Sequence, residues 1–221
     1  MKSRLCSKKA FCVMLFVLAL AGRSHAQLEN PVITNCTTIT APGSYVLLHN
    51  LTATASNVQT IPVTGNRACI LIDADFVTLD MAGFAITGSN LGSLIVSGVV
   101  ARTGIPSTEH QGIHVRAGTV ANLTGSGVLL FGKGHTVENV RALNNFFDGI
   151  VVAGSAAGGH RIIGNVAVSN GASGITVLCP AVVLENSASG NGGGIPGQEI
   201  VQIINPNTNS ACTSQENSPV P

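Results

Sequence analysis

Apolar and polar side chains alternate along this chain in short runs, and Asn or Gly closes most of them. Val77-Thr78-Leu79-Asp80 leads into Met81-Ala82-Gly83, while Ile150-Val151-Val152 and Ile175-Thr176-Val177 follow Gly149 and Gly174. A period of two over about three to five residues predicts short β-strands, and the Asn and Gly between them predict tight turns. Three segments repeat one design. Val137-Glu138-Asn139-Val140-Arg141-Ala142-Leu143-Asn144 precedes Asp148-Gly149-Ile150. Ile163-Gly164-Asn165-Val166-Ala167-Val168-Ser169-Asn170 precedes Ser173-Gly174-Ile175. Leu184-Glu185-Asn186-Ser187-Ala188-Ser189-Gly190-Asn191 precedes Gly194-Ile195. Asn139, Asn165 and Asn186 therefore recur, as do Asn144, Asn170 and Asn191, and a Gly-Ile step follows each pair. A fainter copy lies upstream, where Gly112-Ile113-His114-Val115 matches Gly149-Ile150-Val151-Val152.

A unit of about 22 residues cannot bury an apolar face alone, so such units must stack and share a core. Each strand then pairs in parallel with its equivalent about 4.8 Å away, and recurrent Asn amides can bond one another along the stack. These repeats resemble those of right-handed parallel β-helix proteins, the superfold of the pectin and pectate lyases. The stretch from Cys36 through Pro42-Gly43-Ser44-Tyr45 to Asn50-Leu51-Thr52 resembles the entry segment of secreted bacterial members. The resemblance spans roughly residues 32–204. It implies an all-β, right-handed parallel β-helix of about six to eight rungs with capped ends. It implies no single activity, because the superfold hosts lyases, hydrolases, esterases, adhesins and non-catalytic proteins.

Composition agrees with strands and turns. Charged residues make up 10%, aromatics 4%, and Gly numbers 26, whereas hydrophobic residues reach 45%. Disorder needs a polar, charge-rich chain, and soluble helices need Lys and Glu on a wet face. Met1–Ala26 reads as a secretory signal peptide: a basic start, the apolar run Ala10–Ala21, then Ser24-His25-Ala26. Its removal leaves six basic and ten acidic residues, a net charge of −4. The remaining basic residues are scattered, which disfavours nucleic acid. No later apolar run reaches about 18 residues, so the sequence predicts no membrane span. The expected organisation is a β-helix domain over 27–212, with an entry and cap segment over 27–67 and a disordered tail over 213–221. Cys36, Cys69, Cys179 and Cys212 form an even set in an exported chain, which favours disulfides in a secreted or periplasmic protein. Of three connectivities, 36–69 and 179–212 are preferred because each pair brackets one end of the chain.

Candidate chemistry is sparse. Glu109, His110, His114 and Arg116 gather around the one irregular stretch and are the catalytic candidates, since a His beside a carboxylate can move protons. Aligning Ile113 with Ile70, Ile150 and Ile175 puts His114 outward beside Leu71, Val151 and Thr176, and Arg116 beside Asp73, Ala153 and Leu178. On a second face, Asp80, Thr124, Glu138, Gly164 and Glu185 align, with acids two rungs apart, too far for one ion. Asp73, Arg102, Phe146 and Phe147 are the binding candidates, the Phe pair because an exposed ring can stack on a sugar. No metal site is predicted and no cofactor; Asp73, Asp75 and Asp80 offer only a weak Ca²⁺ candidate against a turn-stabilising role. Gly134-His135 and Gly159-His160-Arg161 share one repeat position, which argues for turn geometry. The leading expectation is a non-catalytic surface or envelope protein that binds a polysaccharide or another envelope component. The alternative is a polysaccharide lyase or glycosidase.

Overall fold

Each apolar run becomes a strand of two to eight residues, with one 3₁₀ turn and no α-helix among the described residues. The structure, a computed structural model, describes residues 30–62, 64–102, 109–154, 158–194, 199–204, 211–215 and 217–219. The leader read at 1–26 lies outside them. Two sheets take up nearly every strand. The first runs Val32–Ile33, Gly43–Leu47, Val77–Asp80, His114–Ala121, Thr136–Leu143, His160–Ile163, Ala181–Leu184, Thr213–Gln215. The second runs Thr37–Ile39, Arg67–Ile72, Val96–Ala101, Val128–Lys133, Ile150–Ala153, Ile175–Leu178, Ile200–Ile203. The chain visits the sheets alternately, and each strand pairs in parallel with its equivalent one circuit away. This is the topology of a parallel β-solenoid.

The first sheet also bends. His114–Ala121 and Thr136–Leu143 turn at Ala117 (φ 55°) and Asn139 (φ 53°). Beyond the bend they pair with Ala85–Gly88 and Val166–Val168. Every circuit therefore has three corners. Between them, side chains alternate inward and outward. Leu79, Val115, Val137, Ile162 and Val183 form one inward column, and Ile70, Val99, Val128, Ile150 and Ile175 another. All ten are fully buried. Each such side chain contributes roughly 1.5–3 kcal/mol of burial.

The corners carry the repeat's polar signature. There a backbone N–H points along the stack, and a side chain of the next circuit accepts it. At one corner Leu123 N donates to Asn145 Oδ1 (3.3 Å), Asn145 N to Asn170 Oδ1 (3.1 Å) and Asn170 N to Asn191 Oδ1 (2.9 Å). At the bend, Val140 N donates to Asn165 Oδ1, Asn165 N to Asn186 Oδ1 and Asn186 N to Asn217 Oδ1, each at 3.0 Å. The amide nitrogens donate back, for example Asn170 Nδ2 to Ala142 O (3.1 Å) and Asn165 Nδ2 to Val137 O (2.9 Å). Asn139 and Asn144 are not in these ladders. Both are exposed at positive φ (53° and 52°), and the neighbouring Val140 and Asn145 hold the ladder places. The aligned repeats are thus offset by one residue in this circuit.

The Gly before Val128, Ile150 and Ile175, where each strand of the second sheet begins, is required by space. A Cβ on Gly127, Gly149 or Gly174 would lie 2.5–2.6 Å from the carbonyl oxygen of the next circuit. The Asn amides sit equally close, with Asn170 Nδ2 at 2.8 Å from the Gly149 position. Ladder and glycine column therefore depend on each other.

Strands continue toward both ends of the described chain. In the entry segment, Thr37–Ile39, Gly43–Leu47 and Leu51–Ala53 extend the sheets in parallel. Only Gln59–Thr60 leaves the pattern, antiparallel to Arg67 and Ala68. The adjacent Ile61 packs with Ala68, Leu71 and Val100, so Arg67–Ile72 is covered on both faces. The tail is not frayed where described. Thr213–Gln215 and Ser218–Pro219 pair with Ala181–Leu184 and Ser187–Ser189, because Asn217 closes the bend ladder. Cys36–Cys69 and Cys179–Cys212 are disulfide-bonded, as the sequence prefers. Each closes a 33-residue separation and contributes roughly 3–4 kcal/mol in the chain-entropy account.

Asn170→Ala should cost at least about 2 kcal/mol in urea unfolding, since it strands buried partners in two circuits. Asn144→Gly should be near neutral, because that position is exposed at positive φ. Equal costs would remove the ladder from the account.

Candidate functional site

The sequence alignment of outward rows needs correction. His114 lies in the first sheet, opposite Thr78 and Thr136, and Arg116 lies opposite Asp80 and Glu138. The second sheet's outward row is Leu71, Val100, Leu129, Val151, Thr176 and Val201. The two Gly-Ile steps look alike but turn different corners. Gly112 has φ 65°, and its missing Cβ makes room for the Phe76 ring, 2.7 Å from where that carbon would stand. Gly149 has no positive φ and instead passes a neighbouring carbonyl. On the first sheet, Ile163 and Leu184 continue the row of Asp80 and Glu138, so Gly164 and Glu185 sit one residue further on. Thr124 belongs to another corner, where it accepts Val96 N (3.0 Å) and donates to Leu94 O (2.5 Å).

Within that row the carboxylates flank a cation. Arg116 donates from Nε (3.1 Å) and Nη2 (2.8 Å) to Asp80 Oδ2. His114 Nε2 stands 3.3 Å from Glu138 Oε1, an ion-pair distance without hydrogen-bond alignment. Arg116 is 43% exposed, so its pair with Asp80 is worth about 1 kcal/mol or less. Asp80 also accepts Ala82 N (2.8 Å), the turn-stabilising role.

His110 and Glu109 occupy a different place. His110–Gln111 pairs beside Val128–Lys133 at the second sheet. The His110 ring is buried, with Nδ1 3.1 Å from Asp75 Oδ1 and Nε2 3.6 Å from Asp73 Oδ1. Gln111 donates its backbone N–H to Asp75 Oδ1 and its amide to Oδ2, both at 3.1 Å. Burial pushes the Asp75 carboxyl up, but Gln111 and His110 together outweigh it and hold the group below its ordinary value. A cavity of about 240 Å³ opens here, lined by Asp75, Glu109, His110, Gln111, Gly132 and Lys133. The sequence candidates thus separate into a first-sheet pair, His114 and Arg116, and a corner pocket holding Glu109 and His110. The partnership of His110 with Asp75 escapes sequence reading because one whole circuit of chain lies between them.

Arg102 places its guanidinium 4.6 Å over the Phe131 ring. Residues 103–108 of the irregular stretch lie outside the described residues. Phe146 is 68% exposed and Phe147 38%, edge to face at 5.2 Å. With Leu94, Ile95, Ser93, Gly92 and Thr124 they line a notch of about 250 Å³ that contains no charged residue. Among the described residues, no group of three or more His, Cys, Asp or Glu is placed to hold a metal ion, Asp73, Asp75 and Asp80 included.

His135 and His160 are buried. Their rings stack at 5.4 Å with 20° between planes. Ile113 N donates to His135 Nδ1 (3.2 Å), and His135 N to His160 Nδ1 (3.3 Å). These rings are the third corner's ladder, with imidazole in place of Asn amide. Burial lowers both to about 4 from 6.5; the Phe131 carbonyl opposes this at His135, and His135 adds to it at His160.

Comparison with family models, curated proteins and solved structures found no match to this chain.

A carboxyl-carbon NMR titration should give Asp75 a midpoint below the usual Asp value. His110→Ala should move that midpoint upward, since a hydrogen bond and a nearby charge are lost. An unmoved midpoint would remove the His110–Asp75 contact.

Proposed function

We propose that this chain is an exported, non-catalytic right-handed parallel β-helix protein that binds a glycan or protein at the cell envelope. The seven-strand path of the second sheet supports about seven rungs. The hand follows the strong preference of parallel crossovers. Two disulfides suggest an oxidising extracellular or periplasmic environment. No helix among the described residues is long and apolar enough to cross a membrane.

The observation that carries the binding reading is the Phe146–Phe147 notch. Phe146 turns most of its ring to solvent and Phe147 more than a third, and together they give a ligand an apolar platform. The uncharged lining favours neutral sugar rings or an apolar side chain over an acidic polymer. The charged flank fits the same reading, since Arg116, Asp80, His114 and Glu138 engage one another across neighbouring circuits. The enzyme alternative rests on one observation, the His110–Asp75 contact at a pocket with Glu109 and Lys133. A carboxylate that orients an imidazole is a general acid–base arrangement.

One assay separates the two. Purified protein is run in affinity gels containing neutral or acidic polysaccharides, and the same mixtures are tested for new reducing ends. The binding reading predicts retardation by a neutral polymer, lost in Phe146→Ala with Phe147→Ala, and no new ends. New reducing ends, abolished by His110→Ala, would overturn it in favour of the enzyme.

A further inference from the structure

The three corner ladders do one job with two chemistries. Asn Oδ1 accepts a backbone N–H at any ordinary pH. An imidazole Nδ1 does so only while the ring is neutral, because imidazolium has donors alone. His135 and His160 hold the N–H groups of Ile113 and His135; neither Nε2 atom makes an aligned hydrogen bond among the described residues, although the Phe131 carbonyl lies close enough to the His135 ring to favour its protonation in part. Protonation therefore costs twice. The accepted bond is lost, and two cations come to lie in one apolar stack with ring centres 5.4 Å apart.

We propose that the His135–His160 stack is an acid-sensitive clasp: neutral rings lock this corner, and protonation releases Ile113 and the adjoining His110–Gln111 segment. Position makes the release local. Ile113 follows Gly112, which follows the Gln111 that binds Asp75. Opening the corner loosens the wall of the cavity formed by Asp75, Glu109 and His110. The Asn ladders at the other two corners do not titrate and keep the remaining circuit closed.

The charges facing the stack are few. His110, Glu109 and Asp75 act on His135; His110 disfavours its protonation and the two acids favour it. His160 is faced by His135. Lys133 and Arg161 beside the ladder are exposed. A ring that titrates lower when folded binds its proton more readily when the corner is open. Stability is therefore complete above about 6.5 and declines as pH falls toward about 4. With two rings the opening constant rises by up to about 100-fold per pH unit inside that window. Asp148, raised above its ordinary value by burial, works in the opposite sense on acidification.

The test uses amide hydrogen exchange and imidazole NMR on the intact protein, from pH 7.5 to pH 4.5. Exchange rates are corrected for the intrinsic pH dependence of each amide. The proposal predicts that protection of the Ile113 and His135 amides falls with pH, while that of Val140 and Asn145 in the Asn ladders holds. Both rings should titrate far below 6.5. His135→Asn with His160→Asn supplies an acceptor without a proton and should flatten the profile of the corner amides. Rings that titrate near 6.5 would overturn the proposal, and the wild-type titration decides this even if the variant does not fold. An unchanged pH profile in a folded variant would overturn it too.

Discussion

At the corners of the circuits from Ile113 onward, a backbone N–H must find an acceptor outside the sheet ladders. An unpaired buried N–H costs about 1–3 kcal/mol, and the penalty recurs with each circuit. The chain solves this with one side chain per corner, reaching back one circuit to accept it. Asn145, Asn170 and Asn191 serve one corner, Asn165, Asn186 and Asn217 the second, and His135 and His160 the third. The Asn amide also returns a hydrogen bond to a carbonyl, so it satisfies two backbone groups. Glycine follows from the same crowding, since the carbonyls and amides that meet at Gly149 and Gly174 leave no room for a Cβ.

The unusual composition follows from this arrangement. Inward positions between corners are aliphatic, corner positions are Asn, His or Gly, and only outward positions can carry charge. Few charged residues are needed, and on the first sheet Arg116 pairs with Asp80 and His114 with Glu138 across circuits. Exposed apolar side chains are then conspicuous. Phe146 and Phe147 sit directly after the ladder residue Asn145, so a rigid buried amide anchors the most exposed aromatic pair among the described residues. A site on such a scaffold is placed by the core beneath it, without a loop that must order on binding.

Much of this is legible in the sequence because the solenoid repeats its physics at fixed spacing. The Gly-Ile steps, the paired Asn residues and the alternation in Ile150–Ala153 and Ile175–Leu178 identify parallel stacking. The limits are equally physical. Asn144 and Asn145 are adjacent, and either could fill the ladder by spacing; only φ and burial separate the turn residue from the ladder residue. Gly112-Ile113 and Gly149-Ile150 share a pattern, but one Gly supplies positive φ and the other supplies space. By pattern alone His114 and Arg116 align with Leu71 and Asp73, whereas they lie on the other sheet. The site candidates were legible as residues and not as partners. His110 meets Asp75 through the circuit between them, whereas His114 and Arg116 meet Glu138 and Asp80 on another face. His135 and His160 look like turn residues because no Asn marks their corner.

Buried side-chain amides at two of the three corners join one circuit to the next. The most direct measurement is hydrogen exchange of the Asn side-chain Nδ2 protons by NMR. The account predicts that Asn145, Asn165, Asn170, Asn186 and Asn191 exchange slowly, as buried core groups do, while Asn139 and Asn144 exchange at the rate of free amides. Slow exchange at Asn144 with fast exchange at Asn145, or equal rates throughout, would contradict it.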